Sequence, residues 1–534
     1  MNQSLSLTTY PTGSKQFIII LTAILAAVME LIDTTIVNVA LNQMAGSLGA
    51  TIEDVAWVIT SYAIANVVII PMTGFLADYF GRKNYSLASI IVFTIASYFC
   101  GTSETLWQLV FWRFLQGIGG GALLSTSQGI IYDAFPPEKR GIGSGIFGMG
   151  IILGPTLGPT VGGLIVDNYH WSQIFFVNIP IGILAAISTL LFIDRKVGEG
   201  TRKAQIKIDY VGILLLIVGV GSLQFILEKG ESEDWFDSQM IVGFTAAAVV
   251  GLVGFIWWEI TTDQPVVNLR VMKDRTLALT TIFSFVAGLG LFTSIFVYPV
   301  FVQRINGFTP TMTGLSLLYP TLAGVIMMPI LGKRLSAGAS PLPFIIIGMI
   351  LMIAFGFYSG TYNAEASQWQ WFSSQLLRVL GVSMLQLPLI NMAVAGLAPK
   401  DYPSGIALNN MIRQLGGAFG IALANNYVGL RYVQHRSDLM SNMDAANPAF
   451  VERINGLKMV FMARSSDVAL ATQQAYRQLE LLVDRQAYML SYLDTFRMVS
   501  IFFIVVFPLL IFLKPRKKST ADAAEAAKAA AEAH

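Results

Sequence analysis

The sequence predicts an all-α integral membrane protein made of two six-helix bundles and two linker helices, with about fourteen membrane-spanning helices in total. Three observations predict it: the composition, the apolar stretches and an internal repeat. Of the 534 residues, 54% are hydrophobic and 12% are charged, whereas about a quarter of the residues of an ordinary soluble protein are charged. The chain has too few charged side chains to cover its surface in water, so lipid must contact much of it.

Apolar stretches that could cross a bilayer recur along the chain. A bilayer core needs roughly 20 mainly apolar residues in one helix. Such stretches lie near residues 17–41, 55–74, 84–102, 105–131, 142–166, 173–193, 209–227, 239–258, 277–301, 311–332, 343–361, 372–397, 404–428 and 494–513. The first is a retained helix rather than a cleaved signal peptide, because it is too long and contains Glu30 and Asp33.

Lysine and arginine residues fall mainly in alternate loops between these stretches. The short loops of the other side contain only Lys229 and Arg304. The loops and tail of the basic side contain Arg82, Lys83, Lys139, Arg140, Arg195, Lys196, Arg202, Lys203, Lys207, Arg270, Lys273, Arg275, Lys333, Arg334, Lys400, Lys514, Arg516, Lys517 and Lys518. By the positive-inside rule, both termini are predicted to be cytoplasmic, which requires an even number of spans.

An internal repeat divides the chain. Arg113 and Arg378 each precede, at nearly the same separation, a loop rich in proline, lysine and glycine, and Pro71–Gly74 recurs as Pro329–Gly332. Parallel halves of this kind are typical of secondary transporters, with the binding site near the midplane between them. The predicted divisions are a cytoplasmic N-terminus at 1–16, a first bundle at 17–193, a loop with two linker helices at 194–276, a second bundle at 277–513 that includes a long periplasmic segment at 429–493, and a cytoplasmic tail at 514–534.

Composition also excludes several classes of function. A formal net charge of +2 argues against a nucleic-acid binder that relies on bulk basicity. The single cysteine, Cys100, excludes an internal disulfide, and three scattered histidines argue against a histidine-rich metal site. The sequence lacks the H-E-x-x-H, G-x-S-x-G and G-x-x-x-x-G-K-[ST] patterns, so we expect no enzyme, no metal and no cofactor.

Two carboxylates lie well inside the first span. Glu30 and Asp33 are three residues apart and therefore share one helical face. A charge at the bilayer centre costs at least about 2.5–3.5 kcal/mol, so such acids normally face a cavity and either titrate or pair. Arg113 in the fourth span lies at about the same depth as Asp33, which permits a pair. These three residues are the predicted proton-coupling group; the alternative is a fixed salt bridge that only holds helices together.

The loop after the second span is a candidate gate. Asp78 and Arg82 flank a turn that contains Gly81, so they could pair in one conformation and separate in another. The alternative is a basic loop that only determines topology.

Span five is rich in glycine and proline. Gly154, Pro155, Gly158 and Pro159 belong to a ladder with glycine at every fourth position, which lets another helix pack closely. A kinked helix with such a face is a candidate hinge or sliding surface, and static packing is the alternative. The stretch 143–148 matches G-x-G-x-x-G, but no strand precedes it, so a dinucleotide site is not expected.

Residues that could line a central substrate cavity come from several spans. Aromatic, methionine and amide side chains suit adaptable binding of amphipathic or cationic molecules. Intramembrane arginines could instead pair, bind substrate or reach toward a helix end. The candidates are Trp57, Tyr62, Gln116, Phe176, Tyr298, Phe301, Tyr319, Arg378, Met384, Gln386 and Arg413.

Several of these motifs resemble those of a known family. Residues 31–41, which read L-I-D-T-T-I-V-N-V-A-L, resemble the first-span signature of fourteen-helix drug:proton antiporters in the major facilitator superfamily. Residues 78–83 look like the superfamily's inner-loop motif, and residues 113–117 look like its fourth-span motif. The glycine and proline ladder of span five looks like its antiporter motif. Residues 167–180, 221–224 and 234–236 resemble EmrB-type inner-membrane pumps.

The resemblance covers about residues 17–513. It implies the major facilitator fold and proton-driven export of hydrophobic or amphipathic drugs across the bacterial inner membrane by alternating access. It further implies a protonatable Asp33 assisted by Arg113, and gating by Asp78 and Arg82. Because EmrB-type pumps work with a periplasmic adaptor and a TolC-like outer-membrane channel, the long outer segment is a candidate docking surface. A dedicated exporter or importer of one metabolite, such as a fatty or bile acid, is the alternative function.

Overall fold

The computed structural model describes residues 10–136, 139–194, 208–363, 365–397, 401–441, 443–444, 446–463 and 467–513. Within these ranges the chain is helical and has no β-strand. Fourteen helices coincide with the predicted spans. They are α1 (Gly13–Ile36), α2 (Trp57–Phe80), α3 (Arg82–Gly101), α4 (Leu106–Ala134), α5 (Arg140–Asn168), α6 (Asn178–Phe192), α7 (Tyr210–Lys229), α8 (Gln239–Thr261), α9 (Arg275–Asn306), α10 (Pro310–Ser336), α11 (Pro341–Ser359), α12 (Gln368–Ala395), α13 (Tyr402–Met440) and α14 (Val468–Val506).

Twelve of the helices in the described ranges are long and apolar enough to cross a membrane. The two predicted spans outside this set are α4 and α13, which contain 29 and 39 residues. Both are less apolar because their buried faces hold polar side chains, among them Arg113 and Gln116 on α4 and Asn409, Asn410 and Arg413 on α13. The polar residues that interrupt hydropathy in these two helices therefore lie inside the protein.

The helices pack as two equivalent sets of six. In the first set α1 contacts α4, α5 and α6, while α2 and α3 contact α4; in the second set α9 contacts α12, α13 and α14, while α10 and α11 contact α12. The sets meet through α5 against α10 and through α2 against α13. Helices α7 and α8 pack on each other, and α7 lies against α2. This arrangement confirms the predicted fold class of two six-helix bundles with two linker helices.

One end of the molecule extends beyond the bundle. Helix α13 is about 58 Å long at 1.5 Å per residue, about twice the thickness of a bilayer core. It continues beyond its predicted end at 428, and α14 begins well before its predicted start at 494. We call the described part of 429–493 the helical hairpin; it also contains the helix Pro448–Met462. Most of the predicted long outer loop is thus a continuation of two spans.

The hairpin is held together at its base by rings and ion pairs. The Tyr432 and Tyr488 rings stack with centroids 4.1 Å apart. Arg436 Nε lies 3.0 Å from Asp484 Oδ1, and Arg431 Nη2 lies 2.6 Å from Asp494 Oδ2. We call this end of the molecule the hairpin end, and the opposite end, where Arg82 and Arg140 lie, the basic end.

Some predicted features lie outside the described residues. These are residues 1–9 of the N-terminus, the loop basic residues Arg195, Lys196, Arg202, Lys203, Lys207 and Lys400, and the tail from Lys514 onward.

Candidate functional site

Asp33 lies at the centre of the first bundle and is fully buried. Its Oδ2 accepts a hydrogen bond from Arg113 Nη1 at 2.5 Å. Its Oδ1 accepts from Gln116 Nε2 and from Asn178 Nδ2, each at 2.8 Å. Three N–H donors, one of them cationic, stabilise an ionised carboxylate. The contact expected from the matched depths of Asp33 and Arg113 is therefore present, with two amide donors in addition.

Arg113 is fixed by further contacts on every side. Its Nε donates to the backbone oxygen of Val58 at 3.1 Å, and its Nη1 also donates to Gln116 Oε1 at 2.7 Å. The guanidinium lies 4.1 Å above the centre of the Tyr62 ring, a favourable cation–π contact. Tyr62 and Gln116 were candidates for a substrate cavity, but in this conformation they surround the ion pair instead.

Glu30 lies one helical turn before Asp33 and is also buried, at 5% exposure. Its surroundings are much poorer in donors. Its Oε1 accepts one long hydrogen bond of 3.3 Å from Asn66 Nδ2, and its Oε2 has no partner. Arg413, on α13 of the other bundle, interacts with it electrostatically across the interface. One bond to two oxygens suits a neutral carboxylic acid better than a carboxylate.

Arg378 occupies the corresponding place in the second bundle. It is 2% exposed, and its Nε donates to Gln375 Oε1 at 2.6 Å. Its Nη2 has no hydrogen-bond partner. Among the described residues no carboxylate lies within ion-pair distance of Arg378, whereas Arg113 has Asp33. The two bundles therefore hold equivalent arginines, and only the first bundle supplies a counter-charge.

Small cavities lie near the centre of the molecule, two of them between the bundles and one inside the second bundle. Gln386 on α12 lines all three of them, with volumes of about 20, 10 and 10 Å³. Each is about the size of a single water molecule. The largest of the three also touches Arg378, while another touches Arg413. None of these three cavities can hold a drug-sized molecule unless the helices around it separate.

Contacts between the bundles close the basic end. Asn391 on α12 accepts hydrogen bonds from Tyr132 Oη at 3.0 Å and from Ser144 Oγ at 3.3 Å. Asn410 on α13 donates to Ser125 Oγ at 3.0 Å. These bonds join α4 and α5 of the first bundle to α12 and α13 of the second, so they must break when this end opens.

Arg82 at the predicted gate forms an ion pair with Asp133, at the end of α4, and donates to the backbone oxygen of Gly129 at 3.1 Å. A cavity of about 150 Å³ adjoins this pair. Gly81 adopts φ +83° between α2 and α3, a conformation that L side chains rarely adopt. Asp78 lies exposed near the end of α2. In this conformation Arg82 pairs with Asp133 of α4. Asp133 was not identified from the sequence as part of the gate.

Helix α5 has two glycine faces that contact different bundles. The predicted ladder packs on α1: a Cβ on Gly154 would lie 2.5 Å from Leu31, and one on Gly158 would lie 1.9 Å from Thr35. The other face packs on α10 of the second bundle, where a Cβ on Gly145 would meet the Met328 backbone at 2.7 Å. The ladder that was predicted to slide therefore holds α5 against the helix that carries Asp33, within one bundle. The face between bundles includes Gly145 and Gly148 of the stretch that matched a nucleotide-binding pattern, and it continues along α5 to Gly163, where a Cβ would meet Pro310.

Comparison with known proteins identifies the family. The model of the Major Facilitator Superfamily matches residues 23–421, which is more than half of the chain. The protein belongs to this superfamily. It is therefore a transporter rather than an enzyme.

Its relatives cover nearly the whole chain. It is 34% identical to the multidrug export protein EmrB of Escherichia coli K12 over 515 residues, which span 95% of this chain and 97% of the relative. It is 30% identical to EmrB of Haemophilus influenzae over 94% of this chain and 96% of the relative. It is also 32% identical to the fatty acid resistance protein FarB of Neisseria gonorrhoeae, over 92% of this chain and 94% of the relative.

A solved structure supports the fold. The crystal structure of the human organic anion transporter MFSD10 (TETRAN) aligns with a TM-score of 0.58 and 14% identity, covering 93% of this chain and 99% of that one. At this identity the match shows a shared fold. The major facilitator fold expected from the sequence motifs is confirmed.

Three substrate candidates of this transporter lie away from the central cavities in this conformation. Trp57 packs at the hairpin end, with its ring under Lys229 Nζ of α7 at 5.1 Å. Phe176 packs on Gly101 at the end of α3. Tyr319 is 58% exposed and lines a groove between α10 and α12 on the outer surface of the bundle. Apolar periodicity alone does not distinguish a lipid-facing or linker-facing aromatic side chain from a central one.

The remaining candidates lie inside the second bundle or at its interface. Tyr298 is fully buried, and its hydroxyl donates to Ser316 Oγ at 2.9 Å. Phe301 is equally buried in the aromatic core of the bundle, 5.0 Å from the Trp371 ring. Met384 packs among the apolar side chains where α5, α10 and α12 meet. Gln386 lines all three of the small central cavities described above, more than any other aromatic, amide or methionine candidate.

Several polar residues of the site were missed. Asn66 and Asn178 bind Glu30 and Asp33, while Asn391 and Asn410 join the bundles. Each is an amide within an apolar span, where an unpaired polar group is unfavourable. That signal was available in the sequence, but it identifies a buried polar group and not its partner.

Proposed function

We propose that this transporter is a proton-driven antiporter of the bacterial inner membrane, with both termini cytoplasmic, that exports hydrophobic or amphipathic drugs by alternating access. The observation that carries the proposal is the buried Asp33–Arg113 pair inside the first bundle, with Glu30 one turn away and in electrostatic interaction with Arg413 of the second bundle. The two EmrB relatives are named for multidrug export, which supports drugs as substrates over a single metabolite. FarB is named for fatty acid resistance.

The two acids differ in the charge state that their surroundings favour. Asp33 has three donors, which favour the carboxylate. Glu30 has one weak donor, which favours the neutral acid, and we propose that Glu30 holds the proton in this conformation. When the bundles separate, Arg413 leaves Glu30, and water reaches both acids. A proton that binds Asp33 then weakens its bond to Arg113 and frees α4 to move against α1.

The driving force is sufficient for concentrative export. Each proton that moves inward supplies about 1.4 kcal/mol per pH unit and about 2.3 kcal/mol per 100 mV of membrane potential. A tenfold concentration ratio of an uncharged drug requires about 1.4 kcal/mol. One or two protons per cycle therefore sustain a gradient of a hundredfold or more, and we propose that no cofactor and no nucleotide is involved.

The helical hairpin is the proposed docking surface for a periplasmic adaptor that leads to a TolC-like outer-membrane channel. It extends away from the bundle at the end opposite to the basic loops. Exposed apolar side chains occur along it, including Leu430 at 64%, Val433 at 67% and Met459 at 68% exposure. Exposed apolar side chains beyond the bilayer favour a protein partner.

Transport by purified protein tests the proposal. In liposomes with an acidic interior, the wild-type protein should accumulate an amphipathic fluorescent dye. Asp33→Asn should reduce this pH-driven uptake to the level of protein-free liposomes, because the amide cannot exchange a proton. Glu104→Gln, which removes an exposed carboxylate from the loop between α3 and α4, is the matched control and should transport normally.

A second measurement distinguishes a loss of proton coupling in Asp33→Asn from a failure of this variant to fold. Downhill equilibration of the dye without a pH gradient should continue in Asp33→Asn, which would show that the variant is folded and can still alternate. Full pH-driven accumulation by Asp33→Asn would contradict the proposed coupling.

A further inference from the structure

Arg378 is a buried cation for which the described part of the chain provides no acid within ion-pair distance. In the first bundle the positive charge of Arg113 is balanced by Asp33 at 2.5 Å. In the second bundle Gln375 takes the place of a partner and accepts from Arg378 Nε, but an amide carries no charge. Burying an uncompensated charge is expensive, so such a group normally marks a binding or transport function.

The polar atoms around Arg378 are mostly donors without acceptors. Arg378 Nη2, Gln375 Nε2 and Gln386 Nε2 have no hydrogen-bond partner, and the only unpartnered acceptor of these three side chains is Gln386 Oε1. All three residues are at least nine-tenths buried. Two of these residues, Arg378 and Gln386, line the same cavity, and their unpartnered donors, one of them cationic, favour a ligand rich in acceptor oxygens.

The cavity beside Arg378 combines this charge with an apolar wall. Arg378, Val382 and Gln386 are spaced four residues apart and lie on one face of α12. Facing them are Ile151 and Pro155 of α5 together with the apolar side chains Leu291 and Ile295 of α9. The cavity thus lies between the bundles, and its volume of about 20 Å³ must grow when they separate.

We propose that Arg378 is the subsite for the acidic group of amphipathic organic anions, with Gln386 as a second polar contact and the apolar faces of α5 and α9 around the body of the ligand. The inference rests on the proposed export function, for which it specifies a substrate class. A carboxylate or sulfonate would accept from Arg378 Nη2 and supply the negative charge that Asp33 supplies to Arg113. Neutral amphipathic molecules would use the apolar wall alone.

Arg413, the other buried arginine of this bundle, does not fill the same role. It interacts electrostatically with Glu30 of the first bundle, whereas among the described residues no carboxylate interacts in this way with Arg378. The proposal therefore distinguishes the two cations: Arg378 recognises substrate, and Arg413 responds to the state of Glu30.

Binding of two matched probes tests the proposal. The anion 1-pyrenebutyrate and the neutral alcohol 1-pyrenebutanol share one apolar body, and energy transfer from tryptophan to pyrene reports binding to the full-length protein in nanodiscs, with empty nanodiscs as the blank. Arg378→Gln should weaken butyrate binding at least tenfold, the effect of losing one charge-assisted hydrogen bond. It should change butanol binding less than twofold.

Two further variants keep the test decisive. Arg378→Lys retains the charge and should keep part of the butyrate affinity, while Arg334→Gln removes an exposed arginine near the basic end and should change neither affinity. If Arg378→Gln does not yield folded protein, the comparison of Arg378→Lys with Gln386→Leu replaces it, and both should weaken butyrate more than butanol.

Unchanged butyrate binding in Arg378→Gln, or an equal loss for both probes, would overturn the proposal. The binding assay uses no pH gradient, so a failure here is separate from a failure of proton coupling. Conversely, a wild-type protein that binds butyrate through Arg378 but does not move any dye against a pH gradient would overturn the export function and leave the subsite intact.

Discussion

The two bundles hold an arginine at corresponding positions of the repeat and surround it differently. Arg113 has a carboxylate, a backbone oxygen, an amide and an aromatic face around it. Arg378 has one amide acceptor, and its Nη2 is without a partner. The backbone repeat therefore preserves the position of a central cation, while the neighbouring side chains determine whether the charge is held or left available.

In the proposed function, this difference assigns proton coupling to the first bundle and substrate binding to the second. The proposed proton site is in the first bundle, where Glu30 interacts with Arg413 of the other bundle and Asp33 binds Arg113 within its own bundle. A site for diverse ligands needs a weakly satisfied polar group in apolar surroundings, and the second bundle supplies Arg378 and Gln386.

The largest expected effect is a loss of stability, and it should differ between variants of Arg113 and variants of Arg378. Arg113→Gln should lower the free energy of unfolding by about 3–5 kcal/mol, because it leaves Asp33 buried without a counter-charge. Arg378→Gln should change it by less than about 1 kcal/mol, because one hydrogen bond is lost while an uncompensated charge is removed. Unfolding by sodium dodecyl sulfate in mixed micelles measures both, and equal losses would contradict the comparison.

An intermediate effect is expected when both members of the first pair are removed. The double variant Asp33→Asn with Arg113→Gln should recover about 2 kcal/mol or more of the stability lost in Arg113→Gln alone, because no buried charge of the pair is left unpaired. The same unfolding assay gives the coupling energy between the two positions. If the double variant loses as much free energy of unfolding as the two single variants together, Asp33 and Arg113 do not stabilise the protein as a pair.

The smallest effect is expected at Glu30. Glu30→Gln should lower the free energy of unfolding by less than about 1 kcal/mol, because an amide oxygen can still accept from Asn66 and the neutral form is already favoured. It should nevertheless reduce pH-driven dye uptake, since an amide cannot bind and release a proton as a carboxyl group does. Glu104→Gln again serves as the control; normal pH-driven uptake by Glu30→Gln would limit coupling to Asp33.

Much of the fold was predictable because a bilayer imposes strong rules. Stretches of about 20 apolar residues predicted the helices, and all fourteen have a counterpart in the described chain. The same rules predict where the apolar stretches end but not that α13 and α14 continue beyond them as a hairpin. Soluble helices are stabilised by packing against each other, and hydropathy does not report such contacts.

The candidate site was predictable in part. A carboxylate within an apolar span is costly in lipid, so Asp33, Glu30 and Arg113 could be identified from residue type and depth. Trp57, Phe176 and Tyr319 could not be placed, because an aromatic side chain is equally acceptable toward lipid, a linker helix or the centre.

The amino-acid sequence by itself determined the helical membrane architecture, its repeat and the presence of buried charges, since each follows from the cost of moving polar groups into lipid. Only the tertiary structure decided which charges meet. It joined Asp33 to Arg113, Asn178 and Gln116, it paired Arg82 with Asp133, and it left Arg378 without an acid. Pairing depends on which helix faces touch across long separations in the chain, and residue spacing within single helices does not specify those contacts.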